Sequence, residues 1–364
     1  MILNREQSMS RDRIIWLDYA RMIAIICVVI THATETVYSL NAETLMQCSM
    51  YQRIFAISMF TIGRLGVPIF FFLTGYLLLD REYSSEGYKT FLKNNFCGLL
   101  LTTAIWIVAY NVFNAFFWKA PFDIEKCLKN LLFLQPTEMG HMWYMPVIIG
   151  IYLFIPFVAN ALRNTDAKVL CIPLLFAFAY QFVVPVVNVW LTATGQETLA
   201  ALPDVSFSGN GYGFMLLLGY LVKKGIFDKI PSAAFAILGA AGFAFTVFMQ
   251  NYSDMHGISY NVWYNSATLL MADLAIFVLL SRMNLKFGKI AGSISMASFG
   301  IYLTHNLILI PLNRYYQPGR SSVGRLAVMF TSTFLTAWLV VTVIERIEPL
   351  ARVLLFQRSS KKIR

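Results

Sequence analysis

Charge is what this sequence has least of. Only 13% of its 364 residues are Asp, Glu, Lys or Arg, about half the roughly 25% usual in soluble domains. With 58% hydrophobic residues and a mean hydropathy of +0.62, a water-soluble globular fold is excluded. No Pro/Gly/Ser-rich linker, internal repeat or second polar domain is apparent, which argues against a multidomain or repeat architecture. The five cysteines and four histidines show no metal-ligand spacing. Cys48 and Cys127 fall in loops expected on the same outer side, where a disulfide is chemically allowed. The simpler reading leaves all five as free thiols packed as small hydrophobes. No soluble basic domain exists to host a nucleic acid, so the net charge of +10 belongs to loops beside a membrane.

What is present is a series of long apolar runs. Ten candidate spans stand out, at 14–38, 55–79, 96–118, 142–162, 168–190, 208–222, 231–250, 262–281, 291–313 and 324–345. About twenty apolar residues cross a bilayer, and the first run is too long for the core of a signal peptide. With the N-terminus placed inside, twenty of the 29 Lys and Arg fall on inner segments and seven on outer ones. That asymmetry places both termini in the cytoplasm. The fold class expected is all-α, a polytopic integral membrane bundle of about ten transmembrane helices. It divides into a cytoplasmic segment 1–13, a membrane domain 14–345 and a basic tail 346–364. Between the third and fourth spans, Ile124, Cys127, Leu128, Leu131 and Leu132 share one helical face, so 122–134 reads as an amphipathic helix on the outer surface.

Ionisable residues inside such runs are costly and are kept mostly for function. Arg21 and His32 lie eleven residues apart in the first run. Eleven steps of about 100° end roughly 20° past three full turns, so the two share a face about 16 Å apart along the axis. Asp18 lies one turn before Arg21 on the same stripe. Topology puts Asp18 and Arg21 near the cytoplasm and His32 in the outer half. Arg64, His141 and His305 are expected in the outer half too, whereas His256 sits in an outer loop without such company. Each has a plainer reading. His32 can be a neutral histidine bonded to a neighbouring helix, and Arg21 can snorkel to the inner interface. Arg64 can form a buried structural pair, with Asp273 in the eighth span as its partner. His141 can be an interfacial histidine, and Glu345 interfacial as well.

The stretch Leu17–Ala33, LDYARMIAIICVVITHA, resembles the Arg-x10-His signature of the acyltransferase-3 family of bacterial-type membrane enzymes. Three further segments fit in the expected order: VPIFFFLTGYLLL (Val67–Leu79) preceded by Arg64, HMWYMPVIIGIYLFIPF (His141–Phe157), and SFGIYLTHN (Ser298–Asn306). In size and pattern the chain is most similar to stand-alone O-acetyltransferases of surface polysaccharides. Asp273 matches no family motif, and Thr74 stands where many relatives have Ser.

The resemblance implies O-acyl transfer in the bacterial cytoplasmic (inner) membrane. The donor would be acyl-CoA, most often acetyl-CoA, used as a substrate with no tightly bound cofactor. The acceptor would be a hydroxyl of an extracytoplasmic or lipid-linked glycan, and membrane lipid the only other partner. Arg21 and the basic inner loops suit the donor phosphates. His32 suits the general base. Arg64 and His141 suit stabilisation of the oxyanion, with His305 behind them. Asp18, Trp143, Tyr302, His305 and Arg64 are candidates for substrate contacts. An acyl-enzyme intermediate stays open as an alternative. The rival readings are a transporter or flippase of a glycan or lipid-linked sugar, and a non-catalytic membrane scaffold or sensor.

Overall fold

The computed structural model describes residues 14–137, 139–204, 210–258, 260, 262–316 and 322–357. The segment 1–13, Arg320 and the tail beyond 357 lie outside the described residues, as does the start of the predicted sixth span. The described chain is helical throughout, with no strand. Eight helices are long and apolar enough to cross a membrane, so this is a multi-pass membrane protein. They are α1 (Ile15–Tyr38), α2 (Met50–Leu78), α3 (Ser85–Trp118), α4 (Gly140–Arg163), α5 (Ala167–Ala193), α7 (Ser232–Met255), α9 (Lys289–Tyr315) and α10 (Val323–Glu345). Two shorter helices, α6 (Asn210–Lys223) and α8 (Ala267–Arg282), have 14 and 16 residues and pack on α2 and α7 respectively.

Local chemistry explains where helices begin later or earlier than apolar periodicity alone predicts. The predicted eighth span opens at 262, but α8 begins only after Ser266, whose backbone is extended. Val262 and Tyr264 are nevertheless buried. Their apolarity thus serves a packed loop, which hydropathy cannot tell from a helix turn. Helix α2 starts five residues ahead of its apolar run because Ser49 and Gln52 form a capping box, satisfying two donors at the helix start. Between Lys119 and Gly140 a helix at Ile124–Leu131 buries Cys127 and leaves Ile124 and Leu128 exposed. All five cysteines are free, Cys48 and Cys127 included.

The centre of the bundle is α1, held between α2 and α9. In a lipid environment helix association depends on close packing and small residues. A Cβ built on Gly63 would run into the backbone of Thr31, and one on Gly66 into the Ala24 carbonyl, so α2 lies directly against α1. Between these two glycines α2 breaks at Leu65. Pro68 causes the break, since it has no N–H for the Arg64 carbonyl and its ring crowds that oxygen. Arg64 therefore stands at a kink, pressed against α1. We expect Gly63→Val to cost at least about 1–3 kcal/mol through overpacking. Thermal melts of the purified protein should show a large drop for it and little change for Gly150→Ala, where a Cβ meets nothing.

Candidate active site

The sequence places His32 on α1, and the structure adds a partner one turn later. Glu35 Oε2 lies 2.9 Å from His32 Nδ1. A carboxylate only accepts, so Nδ1 carries the proton and donates it. Nε2 is then the unprotonated nitrogen, and it has no hydrogen-bond partner among the described residues. The other Glu35 oxygen accepts from the Arg64 guanidinium at 3.3 Å. Arg64 also donates to the Tyr264 hydroxyl at 3.1 Å. Its guanidinium carbon lies 4.6 Å from the Phe60 ring centre and 4.9 Å from that of Trp263, so its faces are covered by aromatic rings. Its Nε–H is buried without a partner among the described residues.

Arg64 pairs with Glu35 and not with Asp273, the possible partner the sequence offered. Asp273 is fully buried, and neither of its carboxylate oxygens has a partner among the described residues. The kink and the glycine seam turn Arg64 toward α1, and Glu35 is the carboxylate that α1 offers there. Sequence reasoning passed over Glu35. The signal was its spacing: three residues after His32 puts both on one helical face.

His141 and His305 join His32 in one cluster. The His305 ring stacks on His32 with centres 5.2 Å apart, and His141 sits edge-on to His305 at 4.8 Å and to His32 at 5.9 Å. Their roles differ by their bonds. His141 Nδ1 accepts from the Asn306 amide at 2.7 Å. Its Nε2 lies 3.3 Å from Tyr110, whose hydroxyl donates to the Leu303 carbonyl; Nε2–H is thus the donor to Tyr110. The Tyr302 hydroxyl donates to the His141 carbonyl at 2.8 Å. Both nitrogens of His141 are thus engaged, and Tyr302 holds it rather than facing a ligand. His305 instead directs Nδ1 at the carbonyls of Tyr302 and Ile301, at 2.7 and 3.1 Å. Carbonyls accept, so Nδ1 carries the proton and Nε2 is a bare lone pair, buried without a partner among the described residues.

Access separates the three histidines. The His32 side chain keeps 21% exposure and Glu35 37%, whereas His141 is 3% and His305 0% exposed. Only His32 is open to a substrate. His256 stands apart on its own loop, stacked on Tyr252.

Arg21 lies at the other end of α1. It is 3.6 Å from Asp18, whose carboxylate also accepts from Ser295 at 2.7 Å. Both line a groove of ≈ 470 Å³ with Ile14, Leu17, Leu77, Ser295 and Met296. Lys223, over the Tyr76 ring, and Lys224, 3.0 Å from Asp80, add cations at the end of α6. Trp143 stands with Tyr264 and Trp263, 5.6 and 6.1 Å between ring centres. The structure therefore brings together His32, Arg64, His141, Trp143, Tyr302 and His305, and sets Arg21 with Asp18 at a second site on the same helix.

The fold and the site define a multi-pass helical membrane protein with a carboxylate–imidazole pair at one end of its central helix and a groove lined by Asp18 and Arg21 at the other. A sequence model of the acyltransferase domain matches residues 14–344, and the chain belongs to that family, acyltransferase-3; its activity is that of a membrane acyltransferase. No curated protein sequence and no solved structure matches the chain.

The Arg64–Glu35 pairing is open to a direct check. In a double-mutant cycle read by chemical or thermal unfolding, Arg64→Met and Glu35→Gln should couple by about 0.5–3 kcal/mol. Arg64→Met and Asp273→Asn should add to within about 0.5 kcal/mol. Coupling of Arg64 to Asp273 instead of Glu35 would reverse the assignment.

Proposed function

We propose that this protein moves an acyl group, acetyl in the first instance, from cytoplasmic acyl-CoA to a hydroxyl of an extracytoplasmic or lipid-linked glycan. The observation that carries this reading is the His32–Glu35 pair, with a proton fixed on Nδ1 and a free lone pair on the open Nε2.

A sugar hydroxyl is a poor nucleophile until its proton is taken as it attacks. His32 Nε2 takes it, and Glu35 holds the imidazole in the required tautomer and faces the imidazolium that forms. Attack on the thioester carbonyl creates an oxyanion, which calls for a donor already in place. Arg64 Nε–H is a buried donor with no partner, and we assign it that role. Collapse of the tetrahedral intermediate breaks the C–S bond and expels the CoA thiolate. The proton on His32 leaves with that thiolate or is released to solvent. His141 is a positioning residue: with Tyr110, Asn306 and Tyr302 it forms a fixed wall behind the base. His305 Nε2 is an acceptor without a donor.

Donor binding falls to the other end. The CoA portion is polyanionic, and the Arg21 guanidinium in the groove is the group suited to its phosphates. The pantetheine arm then follows α1 toward His32, about 16 Å away at 1.5 Å per residue.

Purified protein given labelled acetyl-CoA and a surface-glycan acceptor tests this. His32→Ala should abolish transfer with the fold intact, and Glu35→Gln should lower kcat by roughly 10²–10⁴-fold. Vectorial movement of the glycan without acylation would instead identify a transporter. Arg21→Ala should raise the KM for acetyl-CoA more than it lowers kcat, and wild type should lose affinity as salt screens the groove. An Arg21→Ala defect confined to kcat would remove the donor-site assignment.

A further inference from the structure

The turn that follows α2 carries three charged residues in a row, Asp80, Arg81 and Glu82. Both acids are committed elsewhere, Asp80 to Lys224 at 3.0 Å and Glu82 to Arg163. Arg81 pairs with no carboxylate among the described residues. Its Nε–H donates to the Leu77 carbonyl at 2.7 Å. That bond accounts for a plain role, a cation capping the last turn of a helix. It leaves both terminal amino groups of an exposed side chain uncommitted. The turn that holds Arg81 is pinned. Tyr83 exchanges two backbone hydrogen bonds with the Asn160 side-chain amide, at 3.1 and 2.6 Å, and its hydroxyl donates to the Leu78 carbonyl at 3.3 Å. Arg81 is thus held in place before any ligand arrives.

Leu77 lines the ≈ 470 Å³ groove that holds Arg21, so the bond to its carbonyl brings Arg81 to the side of that groove. On α4 the half-buried Tyr152 has a hydroxyl with no hydrogen bond among the described residues, and both guanidinium groups lie within its electrostatic reach. We infer that Arg81, together with Arg21 and the Tyr152 hydroxyl, binds the 5′-diphosphate of the acyl-CoA donor. This rests on the acyl-transfer reading of the protein. Charge and length select the occupant. Asp18, 3.6 Å from Arg21, offsets part of its charge, so Arg21 by itself does not balance a diphosphate. Arg81 adds the second cation, with two parallel N–H groups that match phosphate oxygens. The pantetheine arm spans roughly 15 Å from sulfur to the first phosphorus, on peptide-like bond dimensions. Arg21 stands about 16 Å from His32 along α1. A thioester held at His32 therefore leaves the diphosphate at the groove, and the adenosine 3′-phosphate beyond it.

The test uses the full chain in nanodiscs of neutral phosphatidylcholine, with labelled CoA and with dephospho-CoA, which keeps the diphosphate and lacks the 3′-phosphate. Wild type should bind both saturably. Arg81→Ala should weaken both by about tenfold, the loss of a charged hydrogen bond, and leave the melting temperature of the ligand-free protein unchanged. Arg81→Lys should recover part of the affinity, since the charge is restored. Weakened binding of CoA with dephospho-CoA unmoved would assign Arg81 to the 3′-phosphate and overturn the diphosphate assignment. A lower ligand-free melting temperature with no recovery in Arg81→Lys would reduce Arg81 to a helix cap and overturn it too. Saturable CoA binding unmoved by Arg81→Ala overturns the inference and leaves the acyl-CoA reading standing. Absence of saturable CoA binding to wild type overturns the acyl-CoA reading itself.

Discussion

Glu35 is the group on which the site turns. One of its oxygens holds the His32 imidazole and the other the Arg64 guanidinium. A buried guanidinium without a counter-charge would be strongly destabilising, and an imidazole without an orienting acceptor would be free to take either tautomer. A single carboxylate resolves both demands. The backbone supplies the geometry. Gly63 and Gly66 let α2 lie against α1, and Pro68 breaks α2 at the residue after Arg64. The arginine is delivered to the carboxylate by packing, and the packing is tolerable only because the charges meet.

The same helix organises the rest. α1 carries Asp18 and Arg21 in a groove at one end and His32 and Glu35 at the other. On one side α9 presents Tyr302, His305 and Asn306 as a rigid backing. On the other, α2 presents Arg64 and Phe60, and the loop before α8 adds Trp263 and Tyr264 around the guanidinium. The polar groups of the cluster are nearly all spent on one another. The exceptions are the Nε2 atoms of His32 and His305, both acceptors, and the Arg64 Nε–H, a donor, none of which has a partner among the described residues. Of these, only the Nε2 of His32 stands on a side chain open to a substrate, at 21% exposure.

Much of the fold was legible in the sequence because hydropathy and helical period act locally. The Arg21–His32 stripe follows from spacing alone, and the structure keeps both on one unbroken α1. The convergence of His141 and His305 on His32 was also legible, once alternate spans were given opposite directions. Glu35 was less so. It lies near the end of an apolar run, where a carboxylate reads as interfacial, and its importance depends on a residue 29 positions away. Asp273, weighed as a possible partner for Arg64, lies midway along its helix and Glu35 near the end of its own; which of the two meets Arg64 depends on how the helices pack, which no local pattern records.

By itself, then, the amino-acid sequence determined a helical membrane protein, the family motifs and the residues able to carry charge or protons within the bilayer, because composition and period act over a few turns. The tertiary structure alone decided which of those residues meet. It paired Arg64 with Glu35, engaged both nitrogens of His141 and left His305 Nε2 without a partner among the described residues. The physical reason is that pairing depends on the rotation and approach of helices, which side-chain volumes fix across the whole bundle and no local pattern records.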